Sequence, residues 1–264
     1  MTPRFEPLTV PAILLRKTDY GESDLILTLL SAERGRLSVI ARAAKKSRRR
    51  FGGVLEVFNE LEAVVECGRG LPRLREASLK NAFARIREDP LRTGYAGLWT
   101  ELAHDAAEEG LPQVDLYGLL RFALGELDRG ELPAELLHLA YLMRLLGLTG
   151  HAPCLECCVR CRRPAEALAE RDLRVDVGRG GVCCPRCAEG GGGEPEIALS
   201  RGTAKQLLWM GRADAARLSR LKTSPRGLLE GRDFLERFVI AHFGRIPRSL
   251  EVLRQLRDGK EPRR

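Results

Sequence analysis

The sequence has few aromatic residues and no long apolar run. Aromatic side chains make up 5% of the 264 residues, so we expect a core built mainly from leucine, valine, isoleucine and alanine. No stretch approaches the roughly 20 apolar residues that a membrane-spanning helix needs. Residues 1–6 contain neither the apolar segment nor the small-residue cleavage site of a secretory signal. We therefore expect a cytoplasmic chain with no membrane partner.

Familiar catalytic motifs are also absent. The sequence contains no GxxxxGK[ST] phosphate loop, no HExxH zinc motif and no GxSxG nucleophile motif. The histidines are scattered and do not pair with a nucleophile at any recognisable spacing: His104, His138, His151 and His242. These absences favour a protein that is not an enzyme and has no small-molecule substrate.

What is present indicates an α+β protein of about two domains, on a prior of roughly 100–200 residues per domain. Residues 1–80 contain short apolar or alternating segments separated by turn residues, which predicts five strands. Five strands in so short a stretch suggest a small barrel, of either the oligonucleotide-binding (OB) or the SH3-like type. The predicted strands are Val10–Arg16, Leu25–Leu30, Arg36–Arg42, Val54–Glu66 and Leu71–Leu79.

Residues 81–150 and 195–255 have leucines at spacings of three and four, which predicts a helical domain in two pieces. Ser200 is expected to cap one helix, and further helices are expected over Arg232–His242 and after Pro247. Between the two pieces, residues 151–194 are rich in cysteine and glycine. Residues 256–264 are a polar tail.

Seven of the eight cysteines lie between positions 154 and 187. In a reducing compartment such a cluster indicates metal ligands rather than disulfides. Two CxxC pairs can close a tetrahedral zinc site, and a site of four cysteines has no open position for catalysis. Our first choice of ligands for one structural Zn²⁺ is the pair of knuckles Cys158, Cys161, Cys184 and Cys187.

Other assignments of the cysteines stay open at this point. Cys154 and Cys157 form a third CxxC pair, which is sterically able to replace Cys158 and Cys161 opposite the later knuckle. Cysteines also occur as buried free thiols or as a redox pair. His151 is close enough along the chain to be a spare ligand.

A basic segment without any acidic residue runs from Arg34 to Arg50. Its eight cationic side chains sum to the +8 net charge of the whole chain, so the positive field is local. Such a segment can bind phosphates, although a solvated loop or an anionic membrane surface is an alternative. The predicted DNA-binding set consists of this run and five flanking residues: Arg16, Lys17, Arg34, Arg36, Arg42, Lys45, Lys46, Arg48, Arg49, Arg50, Arg73, Arg75 and Lys80.

The order of these features resembles the bacterial RecO family of DNA repair and recombination mediators. The resemblance covers nearly the whole chain, and no single motif carries it. Cys154, Cys157 and Cys183 are extra cysteines, and Arg162 stands where the family often has glycine. The matching segments are Leu14–Asp24, Thr28–Arg36, Ala44–Ser47, Leu146–Cys161, Gly180–Cys187, His242–Phe243 and Ser249–Leu250.

The resemblance implies an OB-fold barrel followed by an all-helical domain with a four-cysteine zinc-finger insertion, and it supports our first choice of ligands. It further implies a nucleoid-associated protein that binds single- and double-stranded DNA and anneals complementary strands. Expected protein partners are RecR and the single-stranded-DNA-binding protein, on whose coated strands RecA recombinase is loaded. The alternatives are a zinc-containing nucleic-acid-modifying enzyme and an RNA-binding accessory factor.

Overall fold

The computed structural model describes residues 7–47, 51–68, 70–168, 173–188 and 198–259. It confirms the expected fold class, since a closed five-stranded barrel comes first and helices follow. The barrel order is β1-β2-β3-β5-β4, with β4 pairing back to β1. This is an OB-like barrel. Its strands are β1 (Leu8–Tyr20), β2 (Asp24–Ser31), β3 (Gly35–Ala41), β4 (Glu60–Glu66) and β5 (Arg73–Asn81).

Strand β1 closes the barrel because it pairs with two neighbours. Its first half pairs antiparallel with β4 and its second half with β2. The register shifts between Leu14 and Arg16, and such a bulge bends a strand and increases its twist. Alternate residues of β2 point inward, so that Leu25, Leu27 and Leu29 join the barrel core.

The strand expected over Val54–Glu66 begins only at Glu60, because residues 51–59 form turns. Gly53 and Phe58 have positive φ angles of 74° and 80°, which an extended strand does not accommodate. Leu55, one of the apolar residues that suggested a strand, instead belongs to the barrel core, as does the preceding Phe51.

The remaining chain is mostly helical, and it includes a small sheet of order β7-β6-β8 that the sequence did not predict. Its strands are β6 (Leu173–Asp176), β7 (Gly181–Cys183) and β8 (Ala198–Leu199). The helices are α1 (Pro90–Ala106), α2 (Val114–Arg129), α3 (Ala134–Leu148), α4 (Pro185–Ala188), α5 (Arg201–Met210), α6 (Ala215–Leu218), α7 (Pro225–Phe243) and α8 (Arg248–Arg257). In the part of the chain that is described, none of them has the length and apolar content to cross a membrane.

Helix starts follow the capping residues. The hydroxyl of Ser200 accepts a hydrogen bond from the N–H of Thr203, which confirms the predicted cap of α5. Helix α7 begins at Pro225, seven residues before the start expected from leucine spacing. Ser224 caps it and proline occupies its first position, where no N–H is needed.

The chain forms two compact units, residues 1–128 with 252–264 and residues 129–251. In the first unit α1 packs on β1, and Gly94 lies so close to α8 that a Cβ there would be 3.1 Å from Leu253 Cδ1. In the second, α3, α5 and α7 pack together around residues such as Leu139 and Leu207. This division does not test whether the domains expected from the sequence fold independently, so their boundaries remain a prediction.

Candidate metal centre and nucleic-acid interface

Four cysteines come together in the second unit. The Sγ atoms of Cys158, Cys161, Cys184 and Cys187 all lie within 4.8 Å of one another. The Cys161 and Cys184 sulfurs are 3.7 Å apart, and the edge of a tetrahedron with 2.3 Å Zn–S bonds is about 3.8 Å. The spacing and the donor set therefore fit a tetrahedral zinc ion, and the structure brings together the four residues of our first choice.

Backbone N–H groups point at the sulfur of Cys158. The N–H of Cys184 donates to it at 3.4 Å, and the thiol is fully buried. Burial raises the pKa of the Cys158 thiol, but N–H donors of Cys161, Cys184 and Arg160 outweigh burial and lower it to about 6. Such donors stabilise a thiolate, the form of cysteine that binds metals.

The first knuckle turns back at Arg162, which has a left-handed φ of 59°. Its N–H donates to the carbonyl of Cys158 at 2.9 Å and closes the turn. This conformation explains why glycine suits the position, because a left-handed residue with a Cβ costs about 1–2 kcal/mol. In this chain arginine accepts that strain.

The other candidate ligands lie outside the group of four. Cys154 and Cys157 form a pair of their own, with sulfurs 3.6 Å apart, and Cys183 is buried on β7. The Nδ1 atom of His151 is 2.5 Å from the Thr149 carbonyl oxygen, and its ring stacks on His242. None of these residues belongs to a metal-binding group among the described residues.

The basic residues after β3 gain acidic neighbours in the folded chain. Arg42 pairs with Asp24 at 2.7 Å, and Lys45 pairs with Asp19 at 3.0 Å. Both acids belong to the β1–β2 hairpin, which the register places beside the end of β3. Lys46 is exposed and has no ion pair with another described residue. Positive charge is thus less concentrated here than the sequence run indicates.

Arg34 and Arg36 lie at the opposite end of β3. The strand has seven residues, so about 20 Å separates them from Arg42 at 3.3 Å per residue. Arg36 is half-buried and its guanidinium donates to the His104 carbonyl at 3.2 Å, whereas Arg34 is exposed in the β2–β3 turn. The basic run is therefore not one continuous patch.

The flanking basic residues are mostly paired as well. Lys17 contacts Glu56 at 2.8 Å, Lys80 contacts Glu62 at 3.0 Å, and Arg75 contacts Glu66. Exposed pairs of this kind are worth at most about 1 kcal/mol, so phosphates can compete for the cations. Arg48, Arg49 and Arg50 lie outside the described residues.

Arg16 and Arg73 differ from these pairs. Arg16 is exposed on β1 and forms no ion pair with another described residue. Arg73 is half-buried beside Ile40, and its Nε is buried without a hydrogen-bond partner among the described residues. Arg73 therefore lies at the same end of β3 as Arg42.

Comparison with known proteins identifies the family. The family model "Recombination protein O N terminal" matches residues 6–83, and "Recombination protein O C terminal" matches residues 87–251. This chain belongs to the RecO family of DNA repair proteins. It is 38% identical to a DNA repair protein RecO of Desulfatibacillum aliphaticivorans, over 95% of this chain and 98% of the relative. RecO proteins of Desulfosudis oleivorans (36% identical, 94% and 97% covered) and Bacillus pumilus (29%, 94% and 94%) are also similar.

This member of the family also has a surface cavity that the sequence did not predict. It has a volume of about 410 Å³ and lies in the second unit, beside the 40% exposed side chain of Trp209. The cavity could not be predicted because Glu156 and Trp209 are far apart along the chain and come together only on folding. The cavity is lined by Glu156, Lys205, Leu208, Trp209, Arg212, Ala213 and Arg217.

Proposed function

We propose that this RecO-family protein is a recombination mediator that binds single- and double-stranded DNA through its barrel. It anneals complementary strands and helps load recombinase during repair. The observation that supports this most is an OB-like barrel with exposed cations at the end of β3, in a chain whose relatives are DNA repair proteins. The interface consists of Arg42, Lys45, Lys46 and Arg73, with the other predicted basic residues flanking it.

Phosphate contacts dominate the proposed binding. Each cation that neutralises a phosphate releases counterions, which gives a log–log salt slope of about −0.9 per contact on duplex DNA and −0.7 on single strands. Among the described residues of the barrel the exposed aromatic is Tyr20, so base stacking contributes little and the sequence preference is weak. Annealing follows because neutralising phosphates reduces the repulsion between two complementary strands.

The proposed cofactor is one structural Zn²⁺ held by Cys158, Cys161, Cys184 and Cys187. Bound there, the ion crosslinks a segment with little apolar core of its own and supplies no reaction chemistry. The cysteine side chains position the turn at Arg162 and the start of α4. We accordingly propose no catalysed reaction for this protein.

RecR and the single-stranded-DNA-binding protein are the proposed protein partners, and the nucleoid in the cytoplasm is the proposed location. The support for these is family membership. Co-sedimentation of the purified chain with each partner, with and without DNA, tests them. Failure to bind either partner under conditions where DNA is bound would contradict this part of the proposal.

DNA binding is tested by neutralising the cations after β3. A variant with Lys45→Ala and Lys46→Ala is compared with a matched control, Arg220→Ala and Lys222→Ala, which removes two exposed cations of the second unit. We expect the first variant to lower the salt slope on duplex DNA by about 2 and to slow annealing. The control is expected to retain both. Equal effects of the two variants would move the DNA site off the barrel.

An annealing and cleavage assay on DNA strands and on RNA strands separates the alternatives. Labelled complementary single strands are incubated with the protein, with and without a divalent metal, and the products are resolved by size. Annealed product without cleavage supports the mediator. Metal-dependent fragments would indicate a nucleic-acid-modifying enzyme, and a clear preference for RNA would indicate an RNA-binding accessory factor.

A further inference from the structure

Two cysteines that the proposed metal centre does not use lie side by side. The Sγ atoms of Cys154 and Cys157 are 3.6 Å apart, and both residues are partly exposed. We propose that these residues are a dithiol that is oxidised reversibly to an intramolecular disulfide, a modification site distinct from the metal centre. The proposal does not rest on DNA binding.

The backbone holds the two thiols in place. The N–H of Cys154 donates to the Gly180 carbonyl and its own carbonyl accepts from the N–H of Val182, both at 2.9 Å. Gly181 packs so tightly that an added Cβ would lie 2.3 Å from the Cys154 carbonyl oxygen. Cys157 is bridged to Pro164 on its other side. With both backbones anchored, the sulfurs stay adjacent.

The remaining movement is small. A disulfide bond is about 2.0 Å long, so the sulfurs must approach by roughly 1.5 Å, which side-chain rotation can supply without unfolding the turn. In the structure the Cys154 thiol donates a hydrogen bond to the Cys157 carbonyl oxygen at 3.5 Å. No covalent bond joins the two residues in the structure, where both are free thiols.

Accessibility favours this pair over the three buried cysteines of the second unit. Cys158 is fully buried, and Cys183 and Cys184 are 3% and 2% exposed. Cys161 is exposed and Cys187 is partly exposed, but as proposed metal ligands each would donate a sulfur lone pair to the ion, which lowers their reactivity toward oxidants. Cys67 is exposed, but it has no neighbouring cysteine along the chain with which to form a local disulfide.

The chemistry needs a peroxide as oxidant. One thiol attacks hydrogen peroxide, is oxidised to a sulfenic acid and releases one water. The second thiol then attacks that sulfur, forms the S–S bond and releases a second water. Two thiols and one peroxide thus become one disulfide and two waters. A small dithiol reductant reverses the step by thiol–disulfide exchange and ends as its own disulfide.

The test treats the full-length, zinc-loaded protein with a small excess of hydrogen peroxide. Remaining thiols are blocked with iodoacetamide, peptides are mapped by mass spectrometry, and released zinc is measured with a chromogenic chelator. We expect a disulfide between Cys154 and Cys157, a mass loss of about 2 Da before blocking, reversal by dithiothreitol and no release of zinc. The peptide map does not depend on DNA binding, so the two proposals fail independently.

Variants sharpen the result. Cys154→Ser and Cys157→Ser are each expected to abolish the disulfide and keep the metal, whereas Cys67→Ser is expected to behave like the unmodified protein. Zinc release together with the first disulfide to form would overturn the proposal. The proposal would also fail if Cys154 and Cys157 can still be alkylated after a peroxide treatment that oxidises dithiothreitol in a parallel tube. Loss of zinc in Cys154→Ser would show instead that this residue is a ligand.

Discussion

Gly35 is the first residue of β3 and packs against the segment between α1 and α2. Its replacement by alanine tests how closely this segment approaches the barrel. Gly35 has a φ of +60°, and a Cβ there would lie 2.3 Å from the Leu111 carbonyl oxygen and 2.4 Å from that of Glu108. Gly21 is a matched control, because its φ is +61° and nothing lies within 4 Å of its Cβ position. The two substitutions share the backbone strain and differ in the clash.

The structure sets the expected size of the difference. Left-handed backbone costs a residue with a Cβ about 1–2 kcal/mol, and this applies to both variants. Relieving the clash at Gly35 requires the segment after α1 to move. That movement breaks the 2.9 Å bond from Arg36 N–H to the Glu108 carbonyl and the 2.7 Å bond from Gln113 N–H to the Ala32 carbonyl. Two such bonds are worth about 2 kcal/mol. We therefore expect Gly35→Ala to lower the free energy of unfolding by about 3–4 kcal/mol.

The two tryptophans make the measurement specific to one unit. Trp99 is fully buried in α1, in the same compact unit as the barrel, whereas Trp209 belongs to the other unit. In a Trp209→Phe background, urea unfolding followed by fluorescence reports on the environment of Trp99. Equal destabilisation by Gly35→Ala and Gly21→Ala would refute the close packing at Gly35.

Other predictions concern the metal and the basic surface. Cys184→Ser is expected to lose bound zinc, whereas Cys183→Ser, equally buried and adjacent, is expected to keep one zinc per chain; metal analysis of the purified proteins decides between them. Asp24→Asn is expected to increase duplex affinity at low salt because it removes the negative charge beside Arg42 while keeping an acceptor for the Ala43 N–H; unchanged affinity would mean that Arg42 does not contact phosphate. The pKa of Asp24 is lowered, chiefly by that N–H and then by Arg42. The ionised Asp24 carboxyl therefore contributes stability at pH values above 3.8, its ordinary pKa, and this contribution is lost as the pH falls below that value. NMR titration of the carboxyl measures the direction of the pKa shift.

Local patterns predicted much of the barrel and several helices. Alternating residues in β2 and turn residues at its ends are short-range features, and a strand needs little more to be recognised. The segment before β4 was misjudged because its apolar residues fill the barrel from a turn. Periodicity does not distinguish Leu55 in such a plug from Leu61 in a strand, since both are apolar and buried.

The basic surface was the least predictable part. The basic residues form a run along the sequence, but β3 lies within that run. The basic residues before the strand are therefore separated from those after it by the length of β3. Asp19 is far from Lys45 in sequence, and Asp24 is far from Arg42, yet each acid pairs with its cation because of the hairpin register. The exposed Trp209 cavity likewise depends on residues more than fifty positions apart.

The sequence by itself predicted a metal site built from two CxxC knuckles, because such knuckles are local turns that present both sulfurs on one side. It also determined the family, since the resemblance extends over nearly the whole chain. Only the tertiary structure decided that Cys154 and Cys157 form a separate pair, that Arg162 is left-handed, and which cations already face carboxylates. These features depend on contacts between distant segments, whose distances are set by strand register and packing.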